Sequence, residues 1–376
     1  MLRRFVRNNV IKLHEALKVR GYRRRTAVYV KKAGLKKDNF NKAALKGFME
    51  LWSPLTNRPD INSFMMYTHL NGSEDPRFLP MDLYYCTIEP ILNNKRFIKG
   101  YSDKNALDLF HQDVKAPFVL LRSIDGIIYD HAYRRIQDNR LREYFFDQAI
   151  GSRHIEYVFV KPSSDTMQGL STLKLKVDDG RLYDEKKGVL DLHELRKLYP
   201  ENFIIQEYIH QHECTARFHN DSLNTIRVLT YRSVRDDTIV PLQILQKVGK
   251  GGSIIDKGFR IGMSPDGNYN KYCTEGGKKH TDVNGLNLSS ISGFPYIRDL
   301  IRCAENVAKK HIHSRILGLD LAVNRHGEVL LIEVNNIYVG IEAPQLNNGP
   351  LFREYTEEVI QYCKDKNRSF SFYFDV

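Results

Sequence analysis

Two short stretches near the C-terminus decide the fold: Leu317-Gly318-Leu319-Asp320-Leu321-Ala322-Val323 and Val329-Leu330-Leu331-Ile332-Glu333-Val334-Asn335-Asn336. Each is an apolar run with the composition of a buried strand, and Asn324-Arg325-His326-Gly327 between them has the residues of a tight turn, so together they predict a β-hairpin. Side chains two apart share a face of a strand, which sets Glu333 and Asn335 on one side and turns Ile332 and Val334 toward a core. Asp320, on the partner strand, can stand opposite them. A carboxylate inside an apolar strand is costly unless it is paired or metal-bound. Two carboxylates and one amide are the hard oxygen donors that Mg²⁺ prefers, with positions left over for phosphate and water. A surface carboxylate pair at a hairpin end is the plainer alternative.

Three further segments extend the pattern. Val158-Phe159-Val160-Lys161-Pro162 puts a lysine at a strand end, and the loop after it holds Ser163, Ser164, Asp165, Thr166 and Gly169. A lysine there supplies a point charge for a phosphate, while hydroxyls and loop N–H groups can close over it; an ordinary exposed hairpin loop would look similar. Ile204-Ile205-Gln206-Glu207-Tyr208-Ile209 is an apolar strand that ends in a polar pair, suited to a hinge whose backbone bonds an adenine edge between apolar walls. Asn224-Thr225-Ile226-Arg227-Val228-Leu229 adds an arginine within another apolar strand, a second candidate phosphate ligand. Neither GxxxxGK[ST] nor GxGxxG occurs, which excludes a P-loop and a dinucleotide-binding turn.

Upstream, Phe5, Val6, Val10, Leu13 and Leu17 recur three and four apart and predict helix over the first fifty residues. The prolines and glycine from Trp52 to Pro80 predict a loop-rich passage. A helix is expected around Tyr133 to Ala149 and another over Pro295 to His311, with a last one from Leu351 to Cys363. His210 and His212 lack further ligands at metal spacing and read as a strand edge. The aromatic tail Phe370, Phe372, Tyr373 and Phe374 is expected to pack as a terminal strand.

In order and rough spacing, Lys161, its Ser/Gly loop, the Gln206-Glu207 hinge, Arg227, Asp320, Glu333 and Asn335 resemble the ATP-grasp superfamily. More narrowly the chain resembles the sugar-transfer associated ATP-grasp family over about residues 80 to 350. That likeness is carried by Ser102-Asp103-Lys104, Phe159-Val160-Lys161-Pro162-Ser163, Asn224-Thr225-Ile226-Arg227-Val228, the stretch Gly249 to Asp256, and Gly318-Leu319-Asp320 with Ile332-Glu333-Val334-Asn335. The family pattern usually has Trp at Leu319, Asn at Lys257 and a Gly pair at Ile261-Gly262, so the departures gather near the expected acceptor side.

The resemblance implies an α+β, ATP-grasp fold in which two α+β lobes clasp ATP, preceded by a basic helical N-terminal region. It divides the chain into residues 1–100, 101–209 with the phosphate-closing loop, and 210–376 with the metal site. It further implies ATP and Mg²⁺ as cofactors, with Asp320, Glu333 and Asn335 on the metal and Lys161 and Arg227 as catalytic residues. Nucleotide contacts would fall to Lys104, Lys161, Ser163, Ser164, Thr166, Gly169, Gln206, Glu207, Tyr208, Ile209, Asn224 and Asp256. The implied reaction activates a carboxylate as an acyl phosphate and joins it to an amine, with surface-polysaccharide precursors as candidate context. A kinase acting on a hydroxyl and a noncatalytic ATP-binding scaffold at a membrane are the alternatives.

Bulk composition narrows the class without choosing among these. The 376 residues are 42% hydrophobic and 27% charged, a globular balance, and no apolar run approaches the roughly 20 residues of a membrane span. The basic opening is not followed by an unbroken apolar stretch, which argues against a secretory leader and for a cytoplasmic location. Five scattered cysteines without a CxxC pair fit reduced thiols. Residues 1–50 hold fifteen Lys or Arg against Glu15, Asp38 and Glu50, and the rest of the chain has 42 of each sign. This local charge suggests peripheral contact with the inner face of a membrane, or simply a solvated basic arm. Tyr22 and Tyr29 are too few aromatics for base stacking, so no specific nucleic-acid partner is expected.

Overall fold

The apolar runs between residues 119 and 335 alternate with turn residues and pair into two seven-stranded, wholly antiparallel sheets. This computed structural model describes residues 2–164, 172–185 and 188–366. The first sheet is built from β1 (Val119–Ile124), β2 (Ile127–Tyr129), β3 (Tyr157–Pro162), β4 (Leu173–Asp178), β5 (Arg181–Asp184), β6 (Gly188–Leu190) and β7 (Phe203–Glu207). Its order is β2-β1-β7-β3-β4-β5-β6, which puts the hinge strand β7 between β1 and the lysine strand β3. Asp125 and Gly126 take positive φ of 50° and 77°, as the two-residue turn between β1 and β2 requires. Leu120, Val158, Val160, Leu175 and Phe203 pack in one core with Leu141, Phe145 and Leu195.

The second sheet comprises β8 (Ile226–Arg232), β9 (Ile239–Lys247), β10 (Arg260–Met263), β11 (Tyr269–Glu275) and β12 (Lys278–His280). After a small hairpin of β13 (Asp282–Val283) and β14 (Leu286–Asn287), it is completed by β15 (Ile316–Val323) and β16 (Val329–Asn335). The order β12-β11-β10-β9-β8-β15-β16 flanks β15 with β8 and β16. Alternate residues of its strands enter two separate cores. Val228, Leu317 and Leu319 pack with Leu300, Ala304 and Val307 of the helix Ile297–Lys310. Leu229, Tyr231 and Ile316 pack instead with N-terminal aromatics, among them Phe48, Trp52, Phe64 and Tyr67. Arg227 and Asp320 continue these latter rows, two residues beyond Leu229 and four beyond Ile316.

The N-terminal region is helical as expected, with α1 (Leu2–Lys32) and α2 (Lys42–Trp52). The passage from Trp52 to Pro80 is not simply loop. It contains α3 (Ile61–Asn71), capped by Asp60 accepting from Asn62 N and ended by Gly72 at φ 94°. Its apolar residues Phe64, Met65, Met66, Tyr67 and Leu70 are buried almost all round, so no one-sided periodicity marked it against the flanking prolines. The helix expected from Tyr133 begins only at Asp138, because Tyr133 sits at φ 59° in a turn closed by Asp130. The last helix is Thr356–Lys364, preceded by a single 3₁₀ turn. Residues 100 and 209, where the sequence divides, fall in the 3₁₀ turn Lys99–Ser102 and in the loop after β7. The tail from 370 to 374 lies outside the described residues. Among the described residues no helix is long and apolar enough to cross a membrane.

Candidate active site

Strand register assembles the charged centre. Asp320 is the direct partner of Arg227 across β8 and of Glu333 across β16. Arg227 grips Asp320 with two parallel bonds, Nε to Oδ1 at 2.8 Å and Nη2 to Oδ2 at 2.6 Å. Lys247, which closes β9, lies 3.2 Å from both Asp320 and Asp256, and Thr225 Oγ1 donates to Asp256. Burial pushes the Asp320 carboxyl up, but Arg227 and Lys247 outweigh it and hold the group well below the usual carboxylate range. It stays ionised although buried.

A bulge between Asp320 and Leu321 gives β16 one extra residue, because Asp320 faces Glu333 while Leu321 faces Leu331. The extra residue is Ile332. Leu331 and Val334 therefore go to the core, and Ile332 turns to the cleft, where it lines an apolar cavity. This corrects the expectation, from strict alternation, of an inward Ile332. Glu333 remains half-exposed with Oε1 3.1 Å from Lys104 Nζ, and Asn335 Nδ2 donates to Gly318 O at 3.2 Å.

Lys161 is the unmatched group. It is 9% exposed, and its side chain makes no ion pair or hydrogen bond with a described residue. Burial, then the nearby charge of Lys104, brings its pKa down to about 8, against the opposing influence of Glu333 and Asp320. Lys104 is strapped beside it, its N–H donating to Ser163 O at 2.8 Å. Ser163 Oγ is buried with no partner among the described residues, and Ser164 is exposed. Thr166 and Gly169 lie outside the described residues.

Above Lys161, the small cavity is walled by Phe159, Leu223, Ile254 and Ile332 and edged by Gln206 to Ile209. Glu207 is not a free polar group: Oε1 accepts Phe118 N–H at 2.9 Å, and its own N–H donates to Phe118 O at 3.0 Å. Tyr208 N–H goes to Tyr157 O at 3.1 Å, whereas Ile209 N–H makes no hydrogen bond with a described residue. Gln206 is buried, with Nε2 3.5 Å from Pro117 O. Asn224 is not brought to the cavity. Its amide protons go to Thr215 O and His219 O, and its oxygen accepts from Ser222 Oγ and Gly249 N–H, so it staples two loops.

The sequence reading missed Lys247 and Arg260. Lys247 carried the signal used for Lys161, a cation ending an apolar strand. Arg260 starts β10, with Nη1 donating to Asp256 O at 2.8 Å. Five cations, Lys104, Lys161, Arg227, Lys247 and Arg260, thus gather around three carboxylates, Asp256, Asp320 and Glu333. The excess is positive, as a site for a polyphosphate needs.

The family model described as sugar-transfer associated ATP-grasp matches residues 92–361, more than two thirds of the chain and every residue of this centre. The chain belongs to that family. Among curated proteins there is no match. Distant structural likenesses run at 11% identity to the Coxiella burnetii D-alanine-D-alanine ligase (TM-score 0.38, covering 72% of this chain and 60% of that one) and to the N5-carboxyaminoimidazole ribonucleotide synthetase purK in its ADP complex (0.38, 67% and 50%). The biotin carboxylase domain of Hydrogenobacter thermophilus 2-oxoglutarate carboxylase, with MgADP, ADP and bicarbonate, is also 11% identical (0.43, 74% and 48%). The chain spans 48 to 60% of the length of these three proteins. The family match carries the assignment. In this sugar-transfer associated ATP-grasp chain no three His, Cys, Asp or Glu side chains cluster for a metal among the described residues. The oxygen set at hand is two carboxylates and the Asn335 amide, each facing the cleft side of one hairpin, and it fits a hard divalent ion that shares its shell with phosphate.

Proposed function

We propose that the chain is an ATP-dependent carboxylate–amine ligase, acting on a small carboxylate such as a sugar acid and on an amine, in surface-polysaccharide synthesis. The observation that carries it is Lys161: a buried ammonium without an ion-pair partner among the described residues, set in one sheet and facing carboxylates of the other. Adenine would enter between Phe159 and Ile332, with Ile209 N–H as the free backbone donor at its edge. Lys104 and Lys161 would bind the α and β phosphates, and Ser163 Oγ would add a donor. Asp320, Glu333 and Asn335 would hold Mg²⁺, which when bound offsets the charge repulsion between phosphates and nucleophile. Arg227, Lys247 and Arg260 would face the γ-phosphate and the acceptor carboxylate. We assign residues 101–209 to the phosphate-closing lobe and 210–376 to the metal lobe, with 1–100 packed behind the latter.

In the first step the acceptor carboxylate oxygen attacks the γ-phosphorus and ADP leaves, giving an acyl phosphate. Arg227 would stabilise the charge on the transferred group. In the second the amine attacks the acyl carbon, losing a proton and expelling phosphate, to leave an amide. Incubating the protein with ATP, a panel of uronic acids and hydroxylamine tests this directly. A hydroxamate is the expected product; a stable phosphoester would make the protein a kinase, and absence of ADP would leave only a nucleotide-binding scaffold.

A further inference from the structure

The family match begins at residue 92, so α1 lies outside it, and one face of this helix carries charge that no described residue pairs with. The inner face is fixed: Thr26 Oγ1 donates to Asp60 at 2.7 Å and Arg23 pairs with Asp82 at 2.6 Å. On the opposite face Leu13, Leu17, Arg20, Arg24 and Val28 recur three and four apart, and all five are exposed, Leu13 by 62% and Leu17 by 58%. The only carboxylate of α1, Glu15, is not in this row. Below it Arg20 and Arg24 share a groove with Lys37 and Arg58. None of these four makes an ion pair or a side-chain hydrogen bond with a described residue. The groove's one carboxylate, Asp60, is buried and already accepts from Thr26, Ser63 and Asn62. Like charges at Arg20 and Arg24, four apart on a helix, weaken it unless an anion sits between them.

Exposed leucines beside arginines without a described ion-pair partner, on a helix row without acids, are the features of a segment lying in a lipid–water boundary. We propose that this face docks α1 on a bilayer bearing phosphate-containing anionic lipids, with Leu13 and Leu17 entering the headgroup boundary and Arg20, Arg24, Lys37 and Arg58 holding headgroup phosphates. Nucleic acid fits less well, since the row has no aromatic residue and Tyr22 is stacked on Tyr85 at 4.7 Å.

The test is co-sedimentation of the full chain with phosphatidylcholine vesicles with and without phosphatidylglycerol. Binding is expected only with phosphatidylglycerol and should weaken with salt. The double substitution Arg20→Gln/Arg24→Gln should weaken it about thirty-fold, and Leu13→Gln/Leu17→Gln about tenfold. Both pairs are exposed, so the helix circular dichroism and Mg-ATP binding in solution should stay at the wild-type level, which separates this proposal from the ligase assignment. Equal binding to neutral vesicles, variants that bind like wild type, or uptake of inorganic pyrophosphate without vesicle binding would each overturn it.

Discussion

Two arginine–aspartate pairs, one in each sheet, share a geometry and differ in what surrounds them. Arg122 on β1 holds Asp108 at 2.6 and 3.1 Å, gives further bonds to the carbonyls of Asn105 and His131, and lies 3.8 Å from the Tyr133 ring. Tyr133 also donates to Asp108, so the remaining partners of this one cation and one anion are neutral. Arg227 holds Asp320 at 2.6 and 2.8 Å, but Lys247, Asp256, Glu333 and Lys161 are its neighbours, and positive charge is in excess. The first pair is closed and structural. The second leaves charge for a ligand to answer, and that difference, rather than the pair itself, is why we propose the site there.

The largest effects should come from the carboxylates of the second centre. Asp320→Asn or Glu333→Gln is expected to cut ADP release about a thousandfold or more, measured at saturating nucleotide. The comparison is sharpened by treating the arginines alike. Arg122→Met, which removes a buried guanidinium from a part-exposed Asp108 and leaves the carbonyls of Asn105 and His131 without their donor, should cost about 1–3 kcal/mol of stability in denaturant titration, with turnover per folded molecule unchanged. Arg227→Met should lower turnover about a hundredfold, with Lys247 still facing the Asp320 carboxylate. Equal behaviour of the two variants would break the distinction.

A smaller effect follows from Lys161. Its folded pKa, about 8, lies below the ordinary lysine value, so between these values the folded protein holds fewer protons and the nucleotide-free protein gains stability as pH rises. Phosphate binding needs the charged form. ATP affinity should therefore be level below pH 8 and fall by up to about tenfold per unit above it, and Lys161→Met should abolish that slope. Smallest of all, Ile332→Val should weaken nucleotide about fourfold, the worth of one methylene, if the bulge turns this side chain to the adenine.

Much of this was legible in the sequence because period-two patterning and polar residues inside apolar strands are local signals. Asp320 and Glu333 each broke an apolar run and are register partners, and Lys161, ending an apolar strand of the other sheet, lies close enough for their charges to act on it. What was not legible depended on contacts between distant segments. The bulge that reverses Ile332 appears only once β15 and β16 are paired. Asn224 reads as a ligand in its motif, yet its amide is consumed by Thr215, Ser222 and Gly249. Helix α3 was hidden because it is buried on most sides, and the spacing of Leu13 and Leu17 marked a helix without telling that both are exposed.

The most direct test is calorimetric titration with ATP, with and without Mg²⁺, on the wild-type chain and on Glu333→Gln. One site per chain is predicted, tightened by Mg²⁺ in the wild type, with the metal-dependent gain lost in the variant. Absence of nucleotide uptake, or a magnesium dependence that survives Glu333→Gln intact, would contradict the account.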